Sequence, residues 1–226
     1  MDLTLIRDVV SAAGLICRGG FHPGPDDAVP GAGGTLVLVG NAGPAMWRAF
    51  TDQVPQEDRQ GLSDPLDTWI HRTLTDVAGR LGAKPLFPFD GPPFLPFSRW
   101  AKRAEPVFTS PMGPLIHPEF GLWHAYRGAL VFADVLTLPP RDDRASPCDR
   151  CEDRPCLRTC PVHALSDGEY NVSACVDHLR TPAGMDCMML SCRARRACPI
   201  GRRYQYEPDQ SMLHMRGFLG KKTREN

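Results

Sequence analysis

The chain has 226 residues, 42% of them hydrophobic, with 26 basic and 26 acidic side chains and a formal net charge of zero. That length holds one medium domain or a domain with a small companion, and that apolar share excludes global disorder. The balanced charge lacks the electrostatic footprint of a nucleic-acid or anionic-membrane binder, so neither partner is expected.

The opening MDLTLIRDVVSAAG has no basic start followed by an apolar run, so it does not read as a signal peptide. No later stretch approaches the roughly 20 apolar residues that span a bilayer. The expected location is cytoplasmic. Residues 2–14 instead read as a helix with Leu3, Ile6, Val9 or Val10 and Ala13 on one face. Arg18 to Gly34 reads as a long Gly/Pro/Asp loop, and Thr35 to Gly40 as a short buried strand, with a helix following from about Pro44. The spacing predicts a further helix over 64–81. Asp64 caps it, Pro65 takes the first position, and Leu66, Trp69, Ile70, Leu74, Val77 and Leu81 recur at helical intervals before Gly82.

Lys84 to Phe89 reads as an edge strand, residues 90–97 as an aromatic, proline-rich loop, and Gly128 to Leu138 as an interior strand. The alternation predicts a layered α/β arrangement. Leu138-Pro139-Pro140 marks a boundary, and the polar stretch from Tyr204 reads as a frayed tail.

Of nine cysteines only Cys17 precedes position 148. Its Ile-Cys-Arg setting fits a buried or half-buried thiol. The other eight form two groups. One is Cys148-x2-Cys151-x4-Cys156-x3-Cys160-Pro161; the other is Cys175 followed by Cys187-x4-Cys192-x5-Cys198-Pro199. In a reducing compartment such a set binds metal rather than forming disulfides. Zinc also takes four cysteines, often from CxxC pairs. Only one true CxxC is present and both groups end in Cys-Pro, which favours two [4Fe–4S] clusters. In two-cluster ferredoxins the Cys-Pro thiolate crosses to the other cluster. That rule assigns Cys148, Cys151, Cys156 and Cys198 to one cluster, and Cys160, Cys175, Cys187 and Cys192 to the other. Arg150, Arg154, Arg158, Arg193, Arg195 and Arg196 lie among them. They either offset cluster charge or form a solvated run.

Residues 41–50 (NAGPAMWRAF), 62–74 (LSDPLDTWIHRTL) and 115–140 occur in an order that resembles the CblC family of cytosolic cobalamin-processing chaperones. The strongest block runs Ile-His-Pro-x-Phe-Gly-x-Trp-x-Ala-x-Arg-Gly, at 116–128. The resemblance covers roughly residues 30–140. It implies a flavin-reductase- or nitroreductase-like α/β sandwich over 1–140; the cysteine groups add a small ferredoxin-like di-cluster domain over 141–205 and leave a tail over 206–226, an α+β chain as a whole. It further implies a corrinoid site at His117, Gly121, Trp123 and Arg127. Without the block, His117 before Pro118 reads as a turn histidine.

After Pro140 the likeness to CblC stops, and the order of a corrinoid domain followed by two cubanes looks like epoxyqueuosine reductases and reductive dehalogenases. Cys175-Val-Asp-His-Leu stands where those enzymes have an isolated cysteine ligand.

The resemblance thus implies an oxidoreductase that passes electrons from two clusters to base-off cobalamin, for decyanation, dealkylation or Co(II) reduction. Cubane potentials reach roughly −700 mV, low enough for that task. Flavin is a possible further cofactor. The expected partners are a corrinoid and an upstream donor such as flavodoxin, ferredoxin or a flavin reductase. Two other readings stand: a ferredoxin-type electron carrier with a docking domain, and a cobalamin-dependent reductase of a separate small substrate.

Overall fold

The computed structural model describes residues 2–31, 33–59, 62–166 and 168–224. Two compact units divide the chain: Met1–Pro106 with Ala125–Asp143, and Val107–His124 with Arg144–Asn226. The fold is mixed α/β, and its paired strands are antiparallel where their register is defined.

In the first unit, helix α1 (Leu3–Ala12) is capped by Asp2, whose side chain accepts from the Thr4 N–H, and it buries Ile6 and Val10. Strand β1 (Ile16–Phe21) pairs with β2 (Thr35–Ala42), with Phe21 opposite Leu36 and Cys17 opposite Val39. The expected loop over 18–34 therefore begins only after Phe21; Ala32 lies outside the described residues. Arg18 is drawn into the strand because its guanidinium is buried against Glu105, at 2.6 Å. Helix α2 (Ala45–Gln53) buries Met46, Trp47 and Phe50, and a short turn, α3 (Gln56–Arg59), follows.

Helix α4 (Pro65–Leu81) buries every residue of the expected apolar face and ends at Gly82, in the left-handed conformation at φ 64°. Burying each Leu or Ile there contributes roughly 1.5–3 kcal/mol relative to exposure. Asp64 holds the N-cap position, yet its side chain makes no capping bond; its carbonyl accepts from the Thr68 N–H instead. Strand β3 (Lys84–Leu86) forms one sheet edge. Helix α5 (Phe97–Ala104) was not foreseen, although Phe97, Trp100, Ala101 and Ala104 are buried at helical spacing.

Two short strands come next in the chain, β4 (Phe108–Thr109) and β5 (Leu115–Ile116), before β6 (His124–Phe132). Strand β6 lies between β2 and β3 in the order β1-β2-β6-β3. The interior strand expected at 128–138 thus starts four residues earlier and stops at Phe132. Beyond it Thr35 Oγ1 donates to the Asp134 carbonyl and accepts from the Leu136 N–H, which holds the backbone out of the ladder.

In the second unit β4 and β5 form a hairpin, and Ile116, Leu122 and Cys198 share a small core with Phe108, Met112, Cys148 and Ile200. Helix α6 (Pro155–Arg158) leads to the paired strands β7 (Leu165–Ser166) and β8 (Glu169–Tyr170). Helices α7 (Val172–Leu179), α8 (Met185–Leu190) and α9 (Arg193–Ala197) carry most of the later cysteines or flank them. The expected frayed tail is instead helix α10 (Pro208–Arg224), which packs on α7 and α8 and buries Gln210 and Ser211 completely. The last two tail residues lie outside the described residues.

Candidate functional site

The eight cysteines of the second unit line two cavities, four in each. Cys148, Cys151, Cys156 and Cys198 border a cleft of about 940 Å³ with apolar Met112, Ile116 and Leu122. Arg144, Arg150, Arg154 and Arg202 also border it. Cys160, Cys175, Cys187 and Cys192 line a narrower cavity with His178 and Met215.

Two short helices produce this division. Cys156 lies in α6 and Cys160 just beyond its end, so one turn sends a thiol to each cavity. Cys192 caps the N-terminus of α9 and Cys198 its C-terminus, so that helix does the same. α6 and α9 pack together. The long Cys151–Cys156 spacing is taken up by a turn in which Arg154 has φ 39°, and the Cys192–Cys198 spacing is the length of α9.

The electrostatics follow the same division. Burial pushes the Cys148, Cys156 and Cys198 thiols up, and neighbouring sulfurs add to it: Cys156 and Cys151 at Cys148, Cys198 and Cys151 at Cys156, Cys148 and Cys151 at Cys198. Burial likewise raises Cys175 and Cys192, with Cys160 and Cys187 adding at the first and Cys187 and Cys175 at the second. Each of these couplings runs within one cavity's four. Among the described residues no three His, Cys, Asp or Glu side chains form a group able to hold a single metal ion. Cys17 stands apart on β1, where burial pushes its thiol up to about 11.

The arginines have structural partners as well. Arg193 and Arg196 both reach the Asp186 carboxylate at 2.5 Å. Arg195 lies between the Trp123 and Tyr206 rings, 4.3 and 4.5 Å from their centroids, and donates to the Leu122 carbonyl at 2.6 and 3.1 Å. This clamp fixes α9 against the 117–123 segment.

The residues singled out by the resemblance are differently placed. His117, Gly121 and Trp123 come together in one turn of the second unit, whereas Arg127 lies in the first, bonded to Asn41 Oδ1 at 3.0 Å. His117 is 5% exposed; its Nδ1 accepts from the Glu119 and Phe120 N–H groups, and its ring stacks on Phe120 at 4.4 Å. That is the arrangement of a turn histidine. Trp123 is 1% exposed and packed against Tyr206 and Arg195. Gly121 has φ 58°, and a Cβ there would lie 2.1 Å from the Ile200 carbonyl oxygen, so glycine lets the Cys198-Pro199-Ile200 segment approach.

Two groupings escaped the sequence reading. In the first unit Tyr126 donates its hydroxyl to Glu105, which is also paired with the buried Arg18. In the second, burial raises the Tyr170 hydroxyl and the charges of Cys175, Cys192 and Cys160 add to it. Neither Glu105 nor Tyr170 belongs to a motif, and neither is near in sequence to all the groups it meets. The aromatic loop is split as well: Phe94 is 66% exposed, whereas Phe97 is buried against Trp100.

No protein-family model matches the chain, and neither does any curated protein. Among solved structures, the C. elegans B12-trafficking protein CblC, a homologue of human MMACHC, matches at 15% identity and a TM-score of 0.58. That match covers 96% of this chain and 92% of that one. Epoxyqueuosine reductase from Streptococcus thermophilus matches at 18% identity over 93% of this chain and 70% of that one, with a TM-score of 0.52. A selenomethionine-labelled epoxyqueuosine reductase gives 15%, 93% and 69%, again with a TM-score of 0.52. At such identities the likeness is one of fold: this chain shares its mixed α/β fold with a reductase and with a B12-trafficking protein.

Proposed function

We propose that the chain is an iron–sulfur reductase that binds two [4Fe–4S] clusters and delivers single electrons to a base-off corrinoid. The observation that carries this reading is the sorting of eight cysteines into two cavities of four, with Cys160 and Cys198 crossed between the groups. The fit is chemical as well as numerical. N–H groups aim at the sulfurs, from Ala164 to Cys160 at 3.3 Å, from Ala194 and Arg195 to Cys192, and from Ile200 to Cys198. When bound, the clusters supply low-potential one-electron chemistry.

The protein's own residues hold and insulate that chemistry. Cys148, Cys151, Cys156 and Cys198 would bind one cluster, and Cys160, Cys175, Cys187 and Cys192 the other. Met112, Ile116 and Leu122 give the first cavity an apolar wall. The Arg195 clamp fastens α9, which has Cys192 and Cys198 at its two ends, to the Leu122–Trp123 segment. The reading takes the corrinoid domain to be residues 1–140 and the di-cluster domain 141–205, although residues 107–124 belong to the compact unit that carries the eight cysteines. The natural reaction is reductive processing of cobalamin itself, by removal of an upper ligand or reduction of Co(II).

A second reading, a dedicated electron carrier, is favoured by one set of observations. His117 and Trp123 are engaged inside the second unit, and Arg127 is bonded to Asn41. One experiment separates the two. The protein is reconstituted anaerobically, its iron and sulfide are counted, and it is titrated with cyano-, methyl- and hydroxocobalamin. About eight iron atoms per chain and a shift of the cobalamin spectrum to the base-off form are expected. Iron without any spectral shift at excess protein leaves the carrier reading; zinc in place of iron sinks both. Flavin and an RNA stem loop belong in the same titration. Zero net charge does not exclude nucleic acid, since four arginines border the first cavity.

A further inference from the structure

Helix α7 turns one side to the second cavity. Cys175, His178 and Leu179 follow at the spacing that brings side chains onto one side of a helix, and all three border that cavity. The end of α7 is held in place. The His178 carbonyl accepts from the Thr181 N–H at 3.0 Å and from Thr181 Oγ1 at 2.8 Å. Gly184 approaches so closely that a Cβ on it would lie 2.1 Å from the same carbonyl oxygen. The imidazole has no such anchor. Its Nε2 is buried and makes no hydrogen bond among the described residues. Ser191, Gln210 and Ser211 of the same unit also bury polar side-chain atoms without a partner, but none of the three borders the second cavity. His178 does.

A buried nitrogen left unpaired costs about 1–3 kcal/mol, so its partner has to be accounted for. The side chains around the cavity narrow the choice. Pro161, Val162, Leu179 and Ala194 are aliphatic, and Arg193 carries only donors, one of which reaches Asp186 at 2.5 Å. Sulfur is the side-chain acceptor that remains, strong as a cysteine thiolate and weak as the Met215 thioether. We propose that His178 is the side-chain hydrogen-bond donor to the second cluster. Resting on the cluster reading above, its Nε2–H donates to a sulfur of the cluster held by Cys160, Cys175, Cys187 and Cys192. Such a bond stabilises the more negative, reduced state more than the oxidised one, and so raises the potential of that cluster alone. One electron enters the couple and no proton moves, because the imidazole keeps its N–H in both states. The backbone N–H of Ala164, which donates to Cys160 at 3.3 Å, is fixed by the fold; His178 is the donor that a single substitution removes.

The test is an anaerobic redox titration followed by electron paramagnetic resonance, on the reconstituted wild type, His178→Leu and His178→Gln. Leucine removes the donor, whereas the glutamine amide carries an N–H at similar reach. In the leucine variant one of the two couples is expected to move to lower potential. Its reduced-to-oxidised ratio at a fixed applied potential falls about tenfold, equivalent to about 59 mV for one electron. The other couple stays in place, the iron content is unchanged, and glutamine returns the shifted couple most of the way. Both couples unmoved, both moved alike, or glutamine no better than leucine overturns the inference while leaving the clusters standing. Wild-type protein that binds no iron sinks the cluster reading itself. Should the leucine variant lose iron, wild-type protein labelled with ¹⁵N-histidine is reduced and read by pulsed electron paramagnetic resonance. A histidine nitrogen coupled to one cluster, and lost in the glutamine variant, is expected; no histidine coupling also overturns the inference.

Discussion

Gly121 and Gly82 both take a left-handed backbone conformation, at φ 58° and 64°, but only one is crowded. A Cβ at Gly82 meets nothing within 4 Å, whereas at Gly121 it runs into the Ile200 carbonyl oxygen. Gly82→Ala is therefore expected to cost about 1 kcal/mol, the strain of the backbone conformation alone. Gly121→Ala adds a clash between two backbone segments, neither of which can rotate away, for a total of about 3 kcal/mol or more. Thermal midpoints measured side by side check this, and equal losses would refute the close approach.

The same turn carries a titrating group. The Tyr204 hydroxyl, and then Arg203, hold the Glu119 carboxyl below its ordinary 4.5. Its pKa is lower in the folded state than in the unfolded one, so the folded state binds fewer protons. The stabilisation is complete above about 4.5 and is lost as pH falls through the lower, folded value. Glu119→Gln is expected to flatten that acid limb in urea midpoints recorded against pH. Parallel curves for the two proteins would exclude the contribution.

At the scale of elements, what was legible in the sequence depended on whether one periodicity ran long enough. The face of α4 repeats over seventeen residues and was read residue by residue, as was the run of apolar residues in β2. α5 has the same spacing over eight residues, but it follows a proline-rich loop and carries Arg99, Lys102 and Arg103 on its other side. α10 is interrupted by Gly217 and Gly220 and its sequence ends in a charged stretch, which hides a helix held by packing on α7 and α8. Strands of two residues, such as β4 and β5, carry no period at all. The cysteines sort into two cavities of four, and the Cys-Pro rule behind the proposed crossing does not depend on loop length. The contact of Trp123 with Arg195 was not legible, because the two lie far apart along the chain.

At the scale of the molecule the two units differ in what holds them together. The first has a continuous apolar interior, with Ile6, Val10, Leu36, Leu38, Phe50, Trp69, Ile70, Leu74 and Trp100 almost wholly buried. The second buries fewer large side chains, and its buried residues include Cys160, Cys187 and Cys198. Its short helices α6 and α9 are four and five residues long, well under the roughly 12–15 at which an isolated helix becomes even marginal in water. On the proposed cluster reading, a unit built this way draws much of its folding free energy from the bound metal. Removing iron with a chelator under anaerobic conditions is therefore expected to change amide hydrogen exchange unevenly. Protection in α6, α7, α8 and α9 falls by several orders of magnitude, while β2 and α4 keep their values. A uniform loss across both units would mean that they unfold as one. Unchanged protection everywhere would mean that the second unit stands without its clusters, and the cysteines would then serve chemistry alone.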